Sequence, residues 1–495
     1  MVKNVRIKQR VDTKTNWENS SVVLLENELA FEAESGKYKL GDGTSTWSEL
    51  PIFGGGEYII VINITPALAD VTATISQNKI AIAVGKSNAN GQIYLTVQNT
   101  GFYDISYDNT QVTSNANISI TEKQKIYSID ATYKAFTPVT YTLKIDTTNS
   151  NSLTCCEYMD DAAAMTKGSA DWDTMPIFED IKPCVFKNGA VNYYLNPNDF
   201  NLKENGNAAV LTGEDGDVMI EFKKFAYRIY QENSNTYVSI TNDPDVAATD
   251  DRFHYYAFTR ETEGDIEAFY WGAFKGYVDG DDKLRSISGV SPTVSDSLNQ
   301  FSTKAKANGE NYDIMSFLQL TAIQCLYLIK YGNLNSQAAL GKGYTSASAE
   351  TTTGQTLDKG MYYGDTTSGP VQVKFAGIED FWGNVYDWLG GLSTDSSCNL
   401  IIPVGNQTLT VSVDDPENGG YISDIQGSTA GGFVPDGYSG SSTTYWADYG
   451  YVVSDSSPYF GGSWSDDDSA GAFRLRVVFS ADIAVSDIGS RLAFV

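Results

Sequence analysis

Apolar and polar residues alternate with period two along much of this chain, the pattern of strands with one buried face. Near the N-terminus, Val5-Arg6-Ile7-Lys8-Gln9-Arg10 predicts a strand. Residues 29–32 and 37–40 predict two more around the turn Glu34-Ser35-Gly36. Gly41-Asp42-Gly43 predicts a second turn, because Asp-Gly favours positive φ. Tyr58-Ile59-Ile60-Val61-Ile62 is a buried-strand run. Residues 79–84, 92–97, 103–107 and 140–145 alternate, and Asn90-Gly91, Asn99-Thr100-Gly101 and Asp108-Asn109 separate them. Short strands at this spacing predict a β-sandwich over 57–146. Residues 217–222 and 225–230 read as strands. The 3.6-residue period is clear in one place. Ile314, Phe317, Leu318, Thr321, Ala322, Cys325, Leu326 and Ile329 mark one face of a helix over 313–331. Asp313 is its expected N-cap and Gly332 its stop. After Gly332 the chain is rich in Gly, Ser, Thr, Asp and Tyr, which predicts long functional loops on a fixed core.

Three blocks follow: 1–56, 57–146 and 150–495, with Gly54-Gly55-Gly56 as a flexible linker. That count suits 495 residues at about 100–200 per domain. The fold class expected is multidomain and β-rich: a small N-terminal β module, an immunoglobulin-like sandwich and a C-terminal α+β domain. Composition agrees, since 31 Tyr and 44 Gly against 7 Met suit a β-rich surface protein better than a helical enzyme.

Charge narrows the function. The net charge of −28 repels phosphate, which argues against nucleic acid and against anionic membranes as partners. His254 is the single histidine, so mechanisms needing a histidine pair or a three-histidine metal site are excluded. Five cysteines without a C-x-x-C spacing suggest small buried hydrophobes, not a disulfide scaffold or zinc site. No run reaches the ~20 apolar residues of a membrane span, and no apolar stretch follows the charged first ten residues. The expectation is synthesis in a cytoplasm, with any outside role reached by other means than a signal peptide.

The stretch ELAFEAESGKYKLGDGTSTWSELP, over about fifty N-terminal residues, resembles a module of phage tail fibres and phage tropism determinants. The resemblance implies homotrimerisation and attachment to the phage tail or baseplate. The second block resembles the immunoglobulin-like spacers of phage surface proteins.

In the third block, Gly377-Ile378-Glu379-Asp380-Phe381-Trp382-Gly383-Asn384-Val385-Tyr386-Asp387-Trp388 precedes Gly461-Gly462-Ser463-Trp464 and Asp487-Ile488-Gly489-Ser490-Arg491-Leu492. This order resembles the C-type lectin fold of formylglycine-generating-enzyme type, over most of residues 210–495. Variable proteins of diversity-generating retroelements use that fold, and the chain resembles their major tropism determinant class. Scaffold roles are expected for Trp382, Gly383, Asn384, Trp388, Gly461, Gly462, Trp464, Gly489 and Arg491. The three indoles would be buried anchors. Arg491 would be a buried, paired guanidinium tying down the last strand.

Between those fixed points lie Tyr459, Phe460, Ser463, Ser465, Asp466, Asp467, Asp468, Ser469, Arg474, Arg476, Val478, Phe479, Asp482, Ile483, Val485 and Asp487. An AAC or AAT codon changed freely at its adenines cannot give Lys, Glu, Gln, Met, Trp or a stop. All sixteen positions obey that restriction. They are the expected variable, ligand-binding set, over about 459–487. Arg474, Arg476 and Val478 would share one face of an extended segment, with Phe479, Ile483 and Val485 exposed. Aromatic residues mixed with Arg and Asp make a paratope-like surface. Asp466-Asp467-Asp468 lacks the alternate ligand spacing of a calcium loop, so no cofactor is expected beyond the possibility of a structural Ca²⁺ there.

The implied function is a phage tail receptor-binding protein, carried on the virion, whose diversified surface binds a host cell-surface protein or glycan. The alternative is a non-diversified adhesin for a fixed glycan. A formylglycine-generating-type enzyme is disfavoured. Those enzymes rely on a reactive cysteine pair near the C-terminus, and the last cysteine here is Cys398. This reading expects joint replacement of Tyr459, Arg474 and Phe479 by Ala to abolish binding with folding intact. It also expects a trimeric mass by light scattering at micromolar concentration; a monomeric mass would contradict the attachment module.

Overall fold

The N-terminal alternation folds as a three-stranded sheet. Gln9–Asp12 runs parallel to Leu29–Glu32, which pairs antiparallel with Tyr38–Leu40. Trp17, on the short helix Lys14–Glu18, stacks on Trp47 with ring centroids 4.6 Å apart. Leu24, Ala30 and Leu50 complete this small core, so the two indoles supply most of its apolar surface. The Asp42 carboxylate accepts from the Thr44 and Ser45 amides at 2.9 and 2.7 Å, closing the expected turn. The computed structural model describes residues 9–26, 28–33, 38–50, 58–109, 111–114, 117–121, 126–133, 136–260, 264–366 and 370–494. The start of the first expected strand, the turn at 34–36 and the Gly54-Gly55-Gly56 linker lie outside the described residues.

Two four-stranded sheets form the sandwich. One orders Gln92–Val97, Tyr58–Thr65, Ile126–Tyr133 and Val112–Thr113. The other orders Asn117–Ile120, Gly101–Tyr107, Thr72–Gln77 and Ile80–Lys86. Their inward residues, including Ile60, Ile62, Ile75, Ile93, Leu95 and Tyr103, share one core.

One boundary differs from expectation. The strand Thr140–Asp146 does not close the sandwich. It pairs with Asn235–Thr241 and Cys156–Asp160. Its inward Tyr141, Leu143 and Ile145 enter the next core, where Tyr141 meets Trp172 edge-on at 5.1 Å. Alternation predicts a strand but not its partner, so the sequence put this strand in the wrong sheet. The chain divides into units Met1–Thr137 and Pro138–Val495, and residues 150–210 belong to the second.

The second unit holds that four-stranded sheet, with Ala226–Glu232 as its other edge, and two larger sheets. The seven-stranded one orders Asp199–Lys203, Ala190–Asn196, Lys182–Lys187, Asp217–Lys223, Ala268–Gly272, Leu492–Phe494 and Tyr312–Ile314. The six-stranded one orders Gly419–Tyr421, Tyr449–Val452, Leu475–Phe479, Ser457–Phe460, Tyr386–Trp388 and Ile488–Gly489. The helix begins later than expected and spans Phe317–Tyr331. Ser316 caps it: its hydroxyl accepts from the Gln319 amide at 3.3 Å, and Gln319 Oε1 accepts from the Ser316 amide at 3.1 Å. Asp313 lies in the strand Tyr312–Ile314 instead. Gly332, at φ 50°, ends the helix as expected. All fifteen helix residues are buried, not one face. Gln324 Nε2 donates to the Ala472 carbonyl at 2.7 Å, and Gln319 Oε1 accepts from Trp271 Nε1 at 2.8 Å, while Gln319 Nε2 is buried without a partner among the described residues.

The chain end is locked into this unit. Leu492–Phe494 inserts between Ala268–Gly272 and Tyr312–Ile314. Just before it, Arg491 is buried, as expected. Its Nε donates to Asp387 Oδ2 at 3.0 Å, and Nη2 donates to the Glu379 and Asp380 carbonyls at 2.7 and 2.6 Å. Lys275 Nζ meets the same carboxylate oxygen at 2.7 Å and the Val385 carbonyl at 2.7 Å. Asn384 Nδ2 donates to Asp380 Oδ2 at 2.9 Å and to the Thr351 carbonyl at 3.0 Å. Burial pushes the Asp380 carboxyl up to about 7 and the Lys275 ammonium down to about 8. Removing one member strands a buried charge. Arg491→Met and Asp387→Asn are each expected to cost about 3–5 kcal/mol of unfolding free energy in urea titrations. A loss under about 1 kcal/mol would mean the cluster is not structural.

Candidate ligand-binding face

The six-stranded sheet sets one row of side chains across four strands. Tyr451 pairs with Arg476, Arg476 with Tyr459, and Tyr459 with Trp388. Paired residues share a face of a sheet, so these four side chains line up. Trp388 and Tyr459 are buried, while Arg476 and Tyr451 are partly exposed. The Arg476 guanidinium sits 5.6 Å from the Tyr459 ring centroid, and Tyr459 stacks on Phe479 at 5.5 Å. A second row lies beside it: Tyr421 pairs with Tyr449, their rings edge-to-face at 6.0 Å. Both are partly exposed. The result is a half-open face of Tyr421, Tyr449, Tyr451 and Arg476 on a rigid sheet.

Arg474 ties the neighbouring loop to that sheet. Its Nε donates to Tyr386 Oη at 2.6 Å, Nη1 to the Ser469 carbonyl at 2.8 Å, and Nη2 pairs with Asp466 at 2.5 Å. The guanidinium also lies 5.3 and 5.7 Å from the Tyr386 and Tyr449 rings. Asp466 Oδ2 accepts from the Ser463 amide and hydroxyl, both at 2.7 Å. Asp467 pairs with Lys342 at 2.5 Å, and Asp468 Oδ1 accepts from Tyr421 Oη at 2.8 Å. The three adjacent carboxylates therefore diverge to three different partners. Among the described residues, no group of three or more His, Cys, Asp or Glu is arranged to hold a metal.

Two glycines allow the loop to close. Gly462 has φ +91°, and a Cβ there would sit 2.6 Å from Ala470 Cβ. A Cβ on Gly471 would lie 2.1 Å from Asp448 Oδ1. Asp448 is buried and accepts from the Phe473 amide at 2.7 Å; burial pushes its carboxyl up to about 8.

The expected ligand-contacting residues separate into three groups. Ser465, Asp467, Asp468, Asp482 and Ile483 are exposed, Ile483 by 46%. Asp482 Oδ1 accepts from Asn299 Nδ2 at 2.7 Å, on the rim of a polar hollow of about 600 Å³. Asp466, Ser469, Arg476, Val478, Phe479, Val485 and Asp487 are half-buried, so Phe479 and Val485 are less open than expected. Tyr459, Phe460, Ser463 and Arg474 are buried and correct the sequence reading. Tyr459 is 1% exposed, covered by Arg476 and Phe479 and packed edge-on against Tyr386 and Trp388. Phe460 meets Phe381 at 5.2 Å. Arg474 is 4% exposed because the 463–470 loop folds over it. Alternation put Arg474 and Arg476 on one side but could not foresee that cover.

Of the expected scaffold, Trp382, Gly383, Asn384, Trp388, Gly461, Gly462, Gly489 and Arg491 are buried. Trp464 is partly exposed, against expectation. It holds its place by backbone: its amide donates to the Asn384 carbonyl at 2.8 Å and its carbonyl accepts from Ala347 at 2.7 Å. Tyr421, Tyr449 and Tyr451 were missed. Tyr449-Gly450-Tyr451 carried the signal, two rings one strand repeat apart.

No family model and no curated protein matches the chain. Among solved structures it is similar to the Major Tropism Determinant I1 variant, with 8% identity and TM-score 0.28, covering 98% of each chain. It is similar at 9% identity and TM-score 0.27 to the M1 variant, again covering 98% of each chain. PvdO from Pseudomonas aeruginosa is similar at 12% identity and TM-score 0.24, over 58% of this chain and 97% of that one. Likeness at this level assigns no residue a role.

Burial reverses the expectation for the triple replacement of Tyr459, Arg474 and Phe479 by Ala. Truncating a buried aromatic alone costs about 3–5 kcal/mol, so the triple variant is expected to unfold, as read by circular dichroism and urea titration. A native spectrum with unchanged midpoint would restore the exposed reading. Asp448 gives a pH test. Its folded pKa is raised from 3.8 to about 8, so its contribution to stability is full below the unfolded value and lost as pH rises through about 8. Wild-type stability is expected to fall more steeply from pH 5 to 8 than that of Asp448→Asn; equal slopes would contradict this.

Proposed function

We propose that this chain is a phage tail receptor-binding protein that contacts a host-surface ligand through the face formed by Tyr421, Tyr449, Tyr451 and Arg476. One observation carries the reading: three half-exposed tyrosines and an arginine stand on a rigid sheet, beside a loop exposing Asp467 and Asp468. Tyr rings offer large amphipathic contact area with few rotatable bonds, and Arg adds a directional cation. The face is held from beneath by buried side chains, so little order must be gained on binding. The lectin-type motif order around Trp388 and Arg491 supports the same reading.

In this reading the exposed and half-exposed positions from 465 to 487 are those a retroelement diversifies. The buried four are fixed by the core. The N-terminal module attaches the protein to the tail and makes it a homotrimer, and the sandwich spaces the binding face from the particle. Three copies on one fibre convert a modest affinity into firm attachment. The ligand is a host surface protein or glycan, and the site of action is the virion.

Tyr451→Ala and Arg476→Ala test the reading, since both side chains reach solvent. The pair is expected to stay folded, losing only the Arg476–Tyr459 contact, about 0.5–1 kcal/mol, and to lower host-cell adsorption at least about tenfold, which is about 1.4 kcal/mol of binding. Unchanged adsorption with the fold intact would move the ligand site elsewhere.

A further inference from the structure

We propose that Cys155 and Cys156 are a redox-responsive pair that closes to a vicinal disulfide when the folded protein meets a small-molecule disulfide. The two residues are adjacent in sequence, at the entry to the strand Cys156–Asp160. Their sulfurs lie 3.6 Å apart. Both thiols point at one acceptor, the Ser152 carbonyl, at 3.5 and 3.7 Å. That shared acceptor keeps the two side chains on one side of the turn. Bond formation brings the sulfurs to about 2.0 Å, a movement that side-chain rotation must supply.

The two thiols are not equivalent. A hydrogen bond from Cys156 and the field of the Lys167 ammonium hold the Cys155 thiol below its ordinary value. The same hydrogen bond and burial push Cys156 well above. Lys167 is fixed nearby, its Nζ donating to the Leu153 and Cys156 carbonyls at 2.7 and 2.8 Å. At 4% and 6% exposed, Cys155 and Cys156 meet the small disulfide only when the turn opens locally, and Cys155, the more acidic, is then the first nucleophile.

The chemistry balances as thiol–disulfide exchange. Cys155 loses its proton and attacks one sulfur of the small disulfide, whose S–S bond breaks and releases one thiolate. Cys156 then loses its proton and attacks Cys155 Sγ. The mixed disulfide breaks and the second small thiolate leaves. The protein loses two protons and two electrons, and the small disulfide takes them up to become two thiols. On the proposed reading as a virion protein, the chain would pass from a reducing cytoplasm to an oxidising exterior.

Closure acts on a turn that other segments lean on. Ser152 Oγ donates to the Tyr445 carbonyl at 2.6 Å, and the Ser152 carbonyl accepts from the Leu334 amide at 2.9 Å. The Tyr445 amide donates to the Ser150 carbonyl at 2.7 Å. Tyr445 precedes the strand Tyr449–Val452. The ring removes thiol donation to the Ser152 carbonyl and fixes the rotation between residues 155 and 156.

The test uses the folded, full-length chain and does not depend on the ligand reading. The protein is incubated with oxidised glutathione, quenched in acid, alkylated in denaturant and mapped by mass. The peptide holding Cys155 and Cys156 is expected to be two hydrogens lighter and free of alkyl groups. Cys184, Cys325 and Cys398, also buried free thiols, are expected to be alkylated. Reductant should restore both labels. In Cys156→Ser, Cys155 is expected to stop at the glutathione adduct. Full alkylation of both residues after oxidant treatment would overturn the proposal, as would a disulfide to one of the other three cysteines. If the variant does not fold, the wild-type map alone decides.

Discussion

The buried carboxylate of Asp387 holds two cations from distant parts of the chain. Lys275 Nζ and Arg491 Nε both reach one of its oxygens, at 2.7 and 3.0 Å. Each of these charges is costly to remove from water, by several kcal/mol. The cost is offset only because the three sit together and their remaining donors find carbonyls at Val385, Glu379 and Asp380. The last strand of the seven-stranded sheet thus depends on a residue in the six-stranded sheet. A change at any member leaves a charge with nowhere to go, so this part of the fold is confined to a narrow choice of residues.

That constraint frees the opposite side. Tyr386–Trp388 is an inner strand of the six-stranded sheet, and the strands carrying Tyr459, Arg476 and Tyr451 follow from it towards the edge. Burial declines along the row, from Trp388 and Tyr459 to Arg476 and Tyr451. Side chains at the open end can change without stranding a polar group. Arg474 marks the transition. It stands on the same side as Arg476, yet its hydrogen bonds to Tyr386, Asp466 and Ser469 make it a clamp for the covering loop. The proposed binding surface is better described as a supported face than as a free loop.

Local pattern made much of this legible. Ten strands, four of them among the eight of the sandwich, the helix beyond its start, and the burial of Arg491 follow from periodicity and residue chemistry; Thr72–Gln77, Val112–Thr113, Asn117–Ile120, Ile126–Tyr133 and the strands after Gly332 do not. Partners did not follow. Arg491 reads as a paired guanidinium, but Asp387 lies 104 residues away and Lys275 looks like any solvated lysine. Thr140–Asp146 reads correctly as a strand, and its sheet was still misjudged, because hydrogen-bond partners leave no mark in the strand itself. Restricted residue types at 459–487 suggested exposure for all sixteen positions, yet Tyr459, Phe460, Ser463 and Arg474 are covered by neighbours the sequence does not reveal. The clue that was present and unused was Tyr449-Gly450-Tyr451.

The central claim is that a fixed, charge-locked frame carries Arg476 and adjoining outward positions from 465 to 483 that are free to vary. Deep sequencing of the 3′ end of the gene across a natural population tests it most directly. The account predicts substitutions concentrated at Ser465, Asp467, Asp468, Arg476, Val478, Asp482 and Ile483. Asp387, Gly462, Gly471 and Arg491 should remain unchanged and Tyr459 and Arg474 nearly so. Substitutions spread evenly over buried and exposed positions, or an absence of variation on the outward face, would contradict it.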